Sequence, residues 1–362
     1  MDTEEVRMSQ PDGKSRLRLW LIVAIVALLG IVGLAAVLVE PVGEPGVSYA
    51  SDEDQTLASL EKVDDFPLYT MTYYGDYGFD EFLERGVWQG HRAGVASSAP
   101  MPDWACTTFA ALNEDGDAIL GRNFDWIHRV TLLLFTDPPN GYASVSMVDI
   151  EYLGFDEEIA EGADLSDLLY APYLPFDGMN EHGLTVGIMA VPSADLKDDP
   201  SKVTLDSLAI VRLMLDYART VDEAVELMGN YNIDFGDVDL HYLIADAARH
   251  SAVVEFVDGE MVVLRNEEPW HVSTNFIITG TNAGERPHLC DRYETATDVL
   301  GEANGLLKMD EAMGLLADVS SSSREYPTEW SIVYNMTGGN IQVVMGRKYD
   351  QVHTFFLELS HP

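Results

Sequence analysis

Cys106-Thr-Thr-Phe-Ala-Ala-Leu-Asn-Glu-Asp-Gly-Asp-Ala-Ile-Leu-Gly-Arg122-Asn-Phe-Asp125-Trp126 is the stretch whose reading decides the rest of this chain. Residues 107–112 and 118–120 carry strand patterns, and Asp115-Gly116 lies between them, so the stretch predicts a β-hairpin. A thiol stands at its start, and an arginine and a carboxylate follow 16 and 19 residues later. A thiol attacks an amide only as a thiolate or with a base beside it. A cysteine that has become a chain terminus brings its own base, because an α-amine has a pKa near ~8. Breaking the Ala105–Cys106 bond would create that amine. Asp125 is then expected to hold it by hydrogen bonding, and Arg122 to lower the thiol pKa. The developing oxyanion also needs fixed donors, worth roughly 3–4 kcal/mol for one good donor. The small, proline-containing residues 96–102 suit an accessible loop just ahead of the cut.

Upstream, Leu19 to Val39 is an uncharged run of 21 residues, long enough at 1.5 Å per residue to span a hydrocarbon core of about 30 Å. Lys14, Arg16 and Arg18 precede it, and Glu40 and Glu44 follow. The positive-inside rule then leaves residues 1–18 in the cytoplasm and exports the rest. The expectation is a single-pass cell-membrane protein with its catalytic part on the extracytoplasmic side. The alternative is a cleaved signal peptide ending near Ser48-Tyr-Ala50 and a secreted product, although the apolar run ends well before that site. Residues 40–105 read as linker and pro-segment. The beginning is rich in Gly, Pro, Ser and acids, and the aromatic run Phe66-Pro-Leu-Tyr-Thr-Met-Thr-Tyr-Tyr74 is expected to pack on the main domain, residues 106–362.

The 362 residues carry 61 acidic and 21 basic side chains, a formal net charge of −40. Phosphate binding needs clustered Lys and Arg, so nucleic acid is not an expected partner. The acidity fits either a surface adapted to high salt or an ordinary acidic exported protein. Activity and solubility across a salt series separate the two. Two cysteines exclude a disulfide framework, and Cys290 is expected to be a small buried apolar residue. The nine histidines show no ligand spacing, so no metal and no cofactor is expected.

Downstream, residues 183–191, 241–246, 251–257, 260–264, 331–335, 341–345 and 352–357 read as strands, with Asp258-Gly259 as a hairpin turn. Between them, Thr204 is expected to cap a helix with Leu208, Val211 and Leu215 on one face. Thr220-Val-Asp-Glu223 is a capping-box sequence opening a second helix that Gly229 ends, and residues 309–318 form another helix. Strands at both ends with helices in the middle predict an α+β layered domain with antiparallel sheets. Asn335-Met-Thr337 is a glycosylation sequon, but it falls in a predicted strand.

The 105–126 block resembles the start of the mature subunit in cysteine-type N-terminal-nucleophile amidases. These include the choloylglycine hydrolase and penicillin V acylase family and the related acid ceramidase and N-acylethanolamine acid amidase. Asp177-Gly-Met-Asn-Glu-His-Gly-Leu184 is similar to the penicillin acylase side. Ser273-Thr-Asn275-Phe and Asp291-Arg292-Tyr are similar to the acid ceramidase side, and Thr328-Glu-Trp-Ser-Ile-Val-Tyr-Asn335 to the closing strand. The resemblance implies a four-layer αββα sandwich and an EC 3.5.1-type amidase. It implies Cys106 as nucleophile with its own amine as base, Asp125 and Arg122 as positioning partners, Asn275 as oxyanion donor and Arg292 as a second site arginine. Asn180 and Trp126 are candidate substrate contacts, although Trp126 suits a core position equally well. The implied substrate is a small N-acyl amine or N-acyl amino acid, and oligomers are possible. The sequence departs from the bile-salt-type pattern where those enzymes carry an asparagine after the strand at residues 187–192, since here Ser193 follows. It also departs in the depth of the cysteine within the chain, which is similar to acid ceramidase. An acyltransferase of the same fold and an inactive surface-binding protein are the alternative readings.

Overall fold

The computed structural model describes residues 51–86, 106–127, 130–156 and 158–360. The expected tail, the 19–39 membrane segment and the loop at 96–102 lie outside the described residues. Among the described residues, no helix is long and apolar enough to cross a membrane. Residues 50–362 form one compact unit.

Two sheets make the centre. The larger has nine strands in the order β1 (Glu61–Asp64), β2 (Leu68–Tyr73), β5 (Thr131–Thr136), β6 (Ser144–Asp149), β7 (Pro175–Asn180), β8 (Thr185–Ala190), β11 (Leu240–Ala245), β12 (Ser251–Val257) and β13 (Glu260–Arg265). The smaller has six in the order β14 (Trp270–Ser273), β3 (Thr107–Ala111), β4 (Ile119–Asp125), β15 (Thr328–Asn335), β16 (Asn340–Met345) and β17 (His353–Phe356). A short parallel pair, β9 (Thr204–Asp206) with β10 (Asn232–Asp234), lies apart. Strand β3 meets β8 and β11 across the gap between the sheets. Helices α3 (Ser207–Tyr217) and α4 (Val221–Met228) pack on the nine-stranded sheet, while α5 (Asp291–Glu302) and α6 (Met309–Asp318) pack on the six-stranded one. The layering is αββα.

This layering explains which strands the sequence hides. A strand with a sheet on one face and a helix on the other has no wet side, so its side chains do not alternate in polarity. Strands β6 and β7 are buried at every position, and neither stands out as an alternating run. Asp177-Gly-Met-Asn180 is the end of β7. A Cβ on Gly178 would come within 2.8 Å of the Leu215 side chain and 2.7 Å of the Val145 carbonyl, so glycine lets α3 sit close to the sheet.

Local signals hold where the chain is exposed. Asp258 (φ 55°) and Gly259 (φ 76°) make the turn between β12 and β13, both in the left-handed region a two-residue hairpin demands. Thr220 caps α4 by accepting the Glu223 N–H at 3.2 Å, and Gly229 ends the helix. Thr204 does not cap α3, because it lies in β9 and pairs with Asn232 of β10. Asp206 caps instead, its Oδ1 accepting the Leu208 and Ala209 N–H groups at 3.0 and 2.8 Å. Cys290, expected to be buried, is half-buried at the N-cap of α5.

The upstream segment does more than pack on the domain. After α1 (Asp52–Ala58), strands β1 and β2 extend the nine-stranded sheet, and β2 runs parallel to β5 along six residue pairs. Then α2 (Phe79–Arg85) presents Phe79 and Phe82 to Tyr173. Tyr77 donates from its hydroxyl to Asp216 on α3 at 2.6 Å in the buried interior. Asp64 accepts from His353 Nε2 at 2.6 Å and Lys348 Nζ at 3.3 Å, which ties β1 to the end of the smaller sheet.

Candidate active site

The predicted hairpin is β3 and β4, with Thr107 opposite Asn123 and Thr108 opposite Arg122. One step further along this register sets Cys106 opposite Phe124. Cys106 is buried, with 3 % of its surface exposed. Burial pushes its thiol pKa up, and this outweighs the pull of Arg122 and of the Asp125 backbone N–H that reaches the sulfur. The expectation that Arg122 lowers the thiol pKa describes one contribution, not the net result. A thiol held neutral needs a base.

Arg122 is fully buried and crosses between the sheets to Asp177 on β7, 2.8 Å from Nη1 to Oδ2. Nη1 also donates to the Phe176 carbonyl. Tyr334 and Trp330 of β15 complete the carboxylate, donating to Asp177 at 2.6 and 3.1 Å. The guanidinium carbon lies 5.2 Å from the centre of the Phe124 ring. Its Nε and Nη2 have no hydrogen-bond partner among the described residues.

Asp125 ends β4, and one carboxylate oxygen accepts the Thr328 hydroxyl. The other, Oδ2, is buried and has no partner among the described residues. Burial pushes the Asp125 pKa up to about 7, against the pull of Thr328, Arg292 and Arg122.

Arg292, in the first turn of α5, binds these parts together. Its Nη1 donates to the Cys106 carbonyl at 2.5 Å and the Thr107 hydroxyl at 2.9 Å, and its Nη2 to Asn275 Oδ1 at 3.1 Å. Asn275 lies just beyond β14. Its Nδ2 donates to the Ala190 carbonyl at 2.9 Å. With the carbonyl end on Arg292 and one N–H on Ala190, the second N–H has a defined direction. Ser193 is exposed.

The two substrate candidates separate. Trp126 is buried beside Phe124 and Tyr326, at ring distances of 6.4 and 6.1 Å, next to the half-exposed Ile127. Asn180 does not face a ligand. Its Nδ2 donates to the Leu215 and Ala218 carbonyls, and its Oδ1 accepts the His182 and Leu184 N–H groups. An amide with two donors and two acceptor sites thus spent caps the end of α3 and has nothing left for substrate. Asn335 of the sequon is likewise turned inward, 3 % exposed and bonded to Asp117.

Asp177 and Thr328 were missed as site residues, although both lie in quoted blocks. Nothing in a sequence says which carboxylate will cross a sandwich to meet a given arginine.

Residues 106–281 match the family of linear amide C–N hydrolases, choloylglycine hydrolase family. No curated protein sequence matches the chain. Two structures of variants of the conjugated bile acid hydrolase from Clostridium perfringens share its fold. One aligns at 18 % identity and a TM-score of 0.53 over 69 % of this chain and 92 % of that one. The other aligns at 18 % and 0.51 over 70 % and 92 %. Over residues 106–281 the chain thus carries the pattern of the linear amide C–N hydrolases, choloylglycine hydrolase family, enzymes that act on carbon–nitrogen bonds other than peptide bonds.

Proposed function

We propose that this hydrolase is exported, anchored by residues 19–39, and matures by cleaving its own chain ahead of Cys106. The observation that carries the reading is the convergence on Cys106: Arg292 bridges its carbonyl to Asn275, and Asp125 offers a buried oxygen without a partner among the described residues. A freed α-ammonium would supply the donor that this oxygen lacks.

In the mature enzyme the Cys106 amine takes the thiol proton, and the sulfur attacks the amide carbonyl. The second Asn275 N–H and backbone N–H groups hold the oxyanion. The C–N bond breaks as the protonated amine gives its proton to the leaving amine, and an acyl thioester remains. Water adds to the thioester, releases the acid and restores the thiol. The substrate is an N-acyl amine or N-acyl amino acid. An apolar acyl group suits the aromatic surroundings of Phe124 and Trp126, and a membrane anchor favours a lipid amide.

The cut leaves both described sheets intact. Residues 51–86 keep their parallel pairing with β5 and the Asp64 bonds to His353 and Lys348. The pro-segment therefore stays as a non-covalent part of the enzyme and keeps the tether.

Intact mass and N-terminal sequencing of the exported protein test this directly. The wild type should give two chains, one beginning at Cys106, and Cys106→Ala should give one uncleaved chain with no hydrolysis. An active preparation in which Ala105 is still joined to Cys106 overturns the scheme. Adding amine nucleophiles and following product partitioning distinguishes hydrolysis from acyl transfer.

A further inference from the structure

Beneath the Asn275 loop lies a buried pair of titratable side chains that the mechanism above does not use. His241 on β11 and Glu255 on β12 are both fully buried, with Nδ1 3.2 Å from Oε1. The other ring nitrogen reaches across the sandwich. Nε2 lies 2.7 Å from the Thr274 carbonyl and 3.0 Å from the Ser273 hydroxyl, at the end of β14 in the opposite sheet. Glu255 turns to the far end of the same loop, where Oε1 accepts the Ile278 N–H at 2.7 Å and Oε2 the Thr279 N–H at 2.8 Å. The loop is thus held at both ends, and Asn275 follows directly on the first hold.

A carbonyl can only accept, so Nε2 must donate to Thr274, and a proton on Nδ1 completes the bond to Glu255. Removing two such groups from water is costly unless every hydrogen bond is made. As a contact between neighbouring strands alone, two apolar side chains would serve at less cost. Apart from their mutual bond, the side-chain hydrogen bonds of this pair go to residues 273–279 and, among the described residues, none goes to Cys106, Arg122 or Asp125.

We propose that His241 and Glu255 are positioning residues that clamp the Thr274–Thr279 loop between the sheets and so keep the Asn275 amide aimed at the reacting carbonyl oxygen. This rests on the reading of Asn275 as oxyanion donor.

The test has two parts. In the wild-type full chain, hydrogen exchange at the Ile278 and Thr279 amides should be as slow as in β11 and β12; exchange as fast as in exposed loops overturns the clamp without any variant. Kinetics then use octanoyl-, lauroyl- and palmitoylglycine with Glu255→Gln, His241→Gln, Asn275→Ala and the double variant Asn275→Ala/Glu255→Gln. Each clamp variant should lower kcat about 10- to 100-fold with KM within about twofold, the cost of a misaimed donor. Alkylation of Cys106 by iodoacetamide should keep its wild-type rate. The double variant should be no slower than Asn275→Ala, because residues that act through one another are not additive. Losses that multiply in the double variant, or clamp variants with wild-type kcat while Asn275→Ala is slow, overturn the proposal alone. Wild-type kcat in Asn275→Ala overturns the oxyanion reading instead.

Discussion

Among the described residues two arginines are fully buried, and they are built differently. Every guanidinium nitrogen of Arg212 on α3 has a partner. Its Nε donates to the Pro172 carbonyl, its Nη1 to Thr136, Ser144 and Asp216, and its Nη2 to Ser146, while Tyr77 supplies the remaining bond to Asp216. Arg122 spends one nitrogen on Asp177 and Phe176 and leaves Nε and Nη2 without partners among the described residues. Native interiors rarely leave buried donors unmade, and where they do the reason is often functional. Arg212 ties the upstream segment to the core. Arg122 stands beside Cys106, the proposed nucleophile, with donors to spare.

The largest expected effect separates these roles by one conservative change. Lysine keeps the charge but loses the planar fork. Arg122→Lys should lower kcat about 100-fold or more, as removal of a fixed site donor does. Arg212→Lys should leave kcat per folded molecule within about twofold but cost about 3 kcal/mol in denaturant unfolding, because buried partners lose their bonds. Equal kcat losses in both would erase the contrast.

A second test uses pH. Asp125 has a folded-state pKa of about 7 against an ordinary value of 3.8, so the uncleaved fold binds a proton that the unfolded chain releases. That contribution is present below about pH 4 and is lost as pH rises through about 7, a span worth up to about 4 kcal/mol. In the uncleaved Cys106→Ala chain, unfolding free energy should therefore decline over this range, and adding Asp125→Asn should flatten the decline. An unchanged slope would mean that Asp125 already has its partner before cleavage.

The smallest effect sharpens the structural side. Tyr77→Phe removes one buried hydrogen bond to Asp216 and should cost about 1–2 kcal/mol. In the mature protein it should also speed dissociation of the upstream chain, followed by gel filtration after dilution, without changing kcat for the molecules that retain it.

The β3–β4 hairpin, the α4 cap and the β12–β13 turn were legible because each rests on contacts within a few residues. Strands β5, β6 and β7 were not, since burial on both faces removes the alternation that marks a strand. Asp177 shows the limit most plainly. Its neighbours Gly178 and Asn180 suggest a turn, yet Gly178 serves close packing of α3 and Asn180 caps that helix.

The proposed chemistry was written locally: Cys106, Arg122 and Asp125 sit on one hairpin, and a hairpin's register follows from its own turn. The partners of that chemistry were decided only in three dimensions. Arg292 on a helix, Asn275 in a loop, Asp177 in the facing sheet and the His241–Glu255 pair meet because two sheets stack. Stacking is driven by apolar area, and apolar area does not record which polar side chains it will bring face to face.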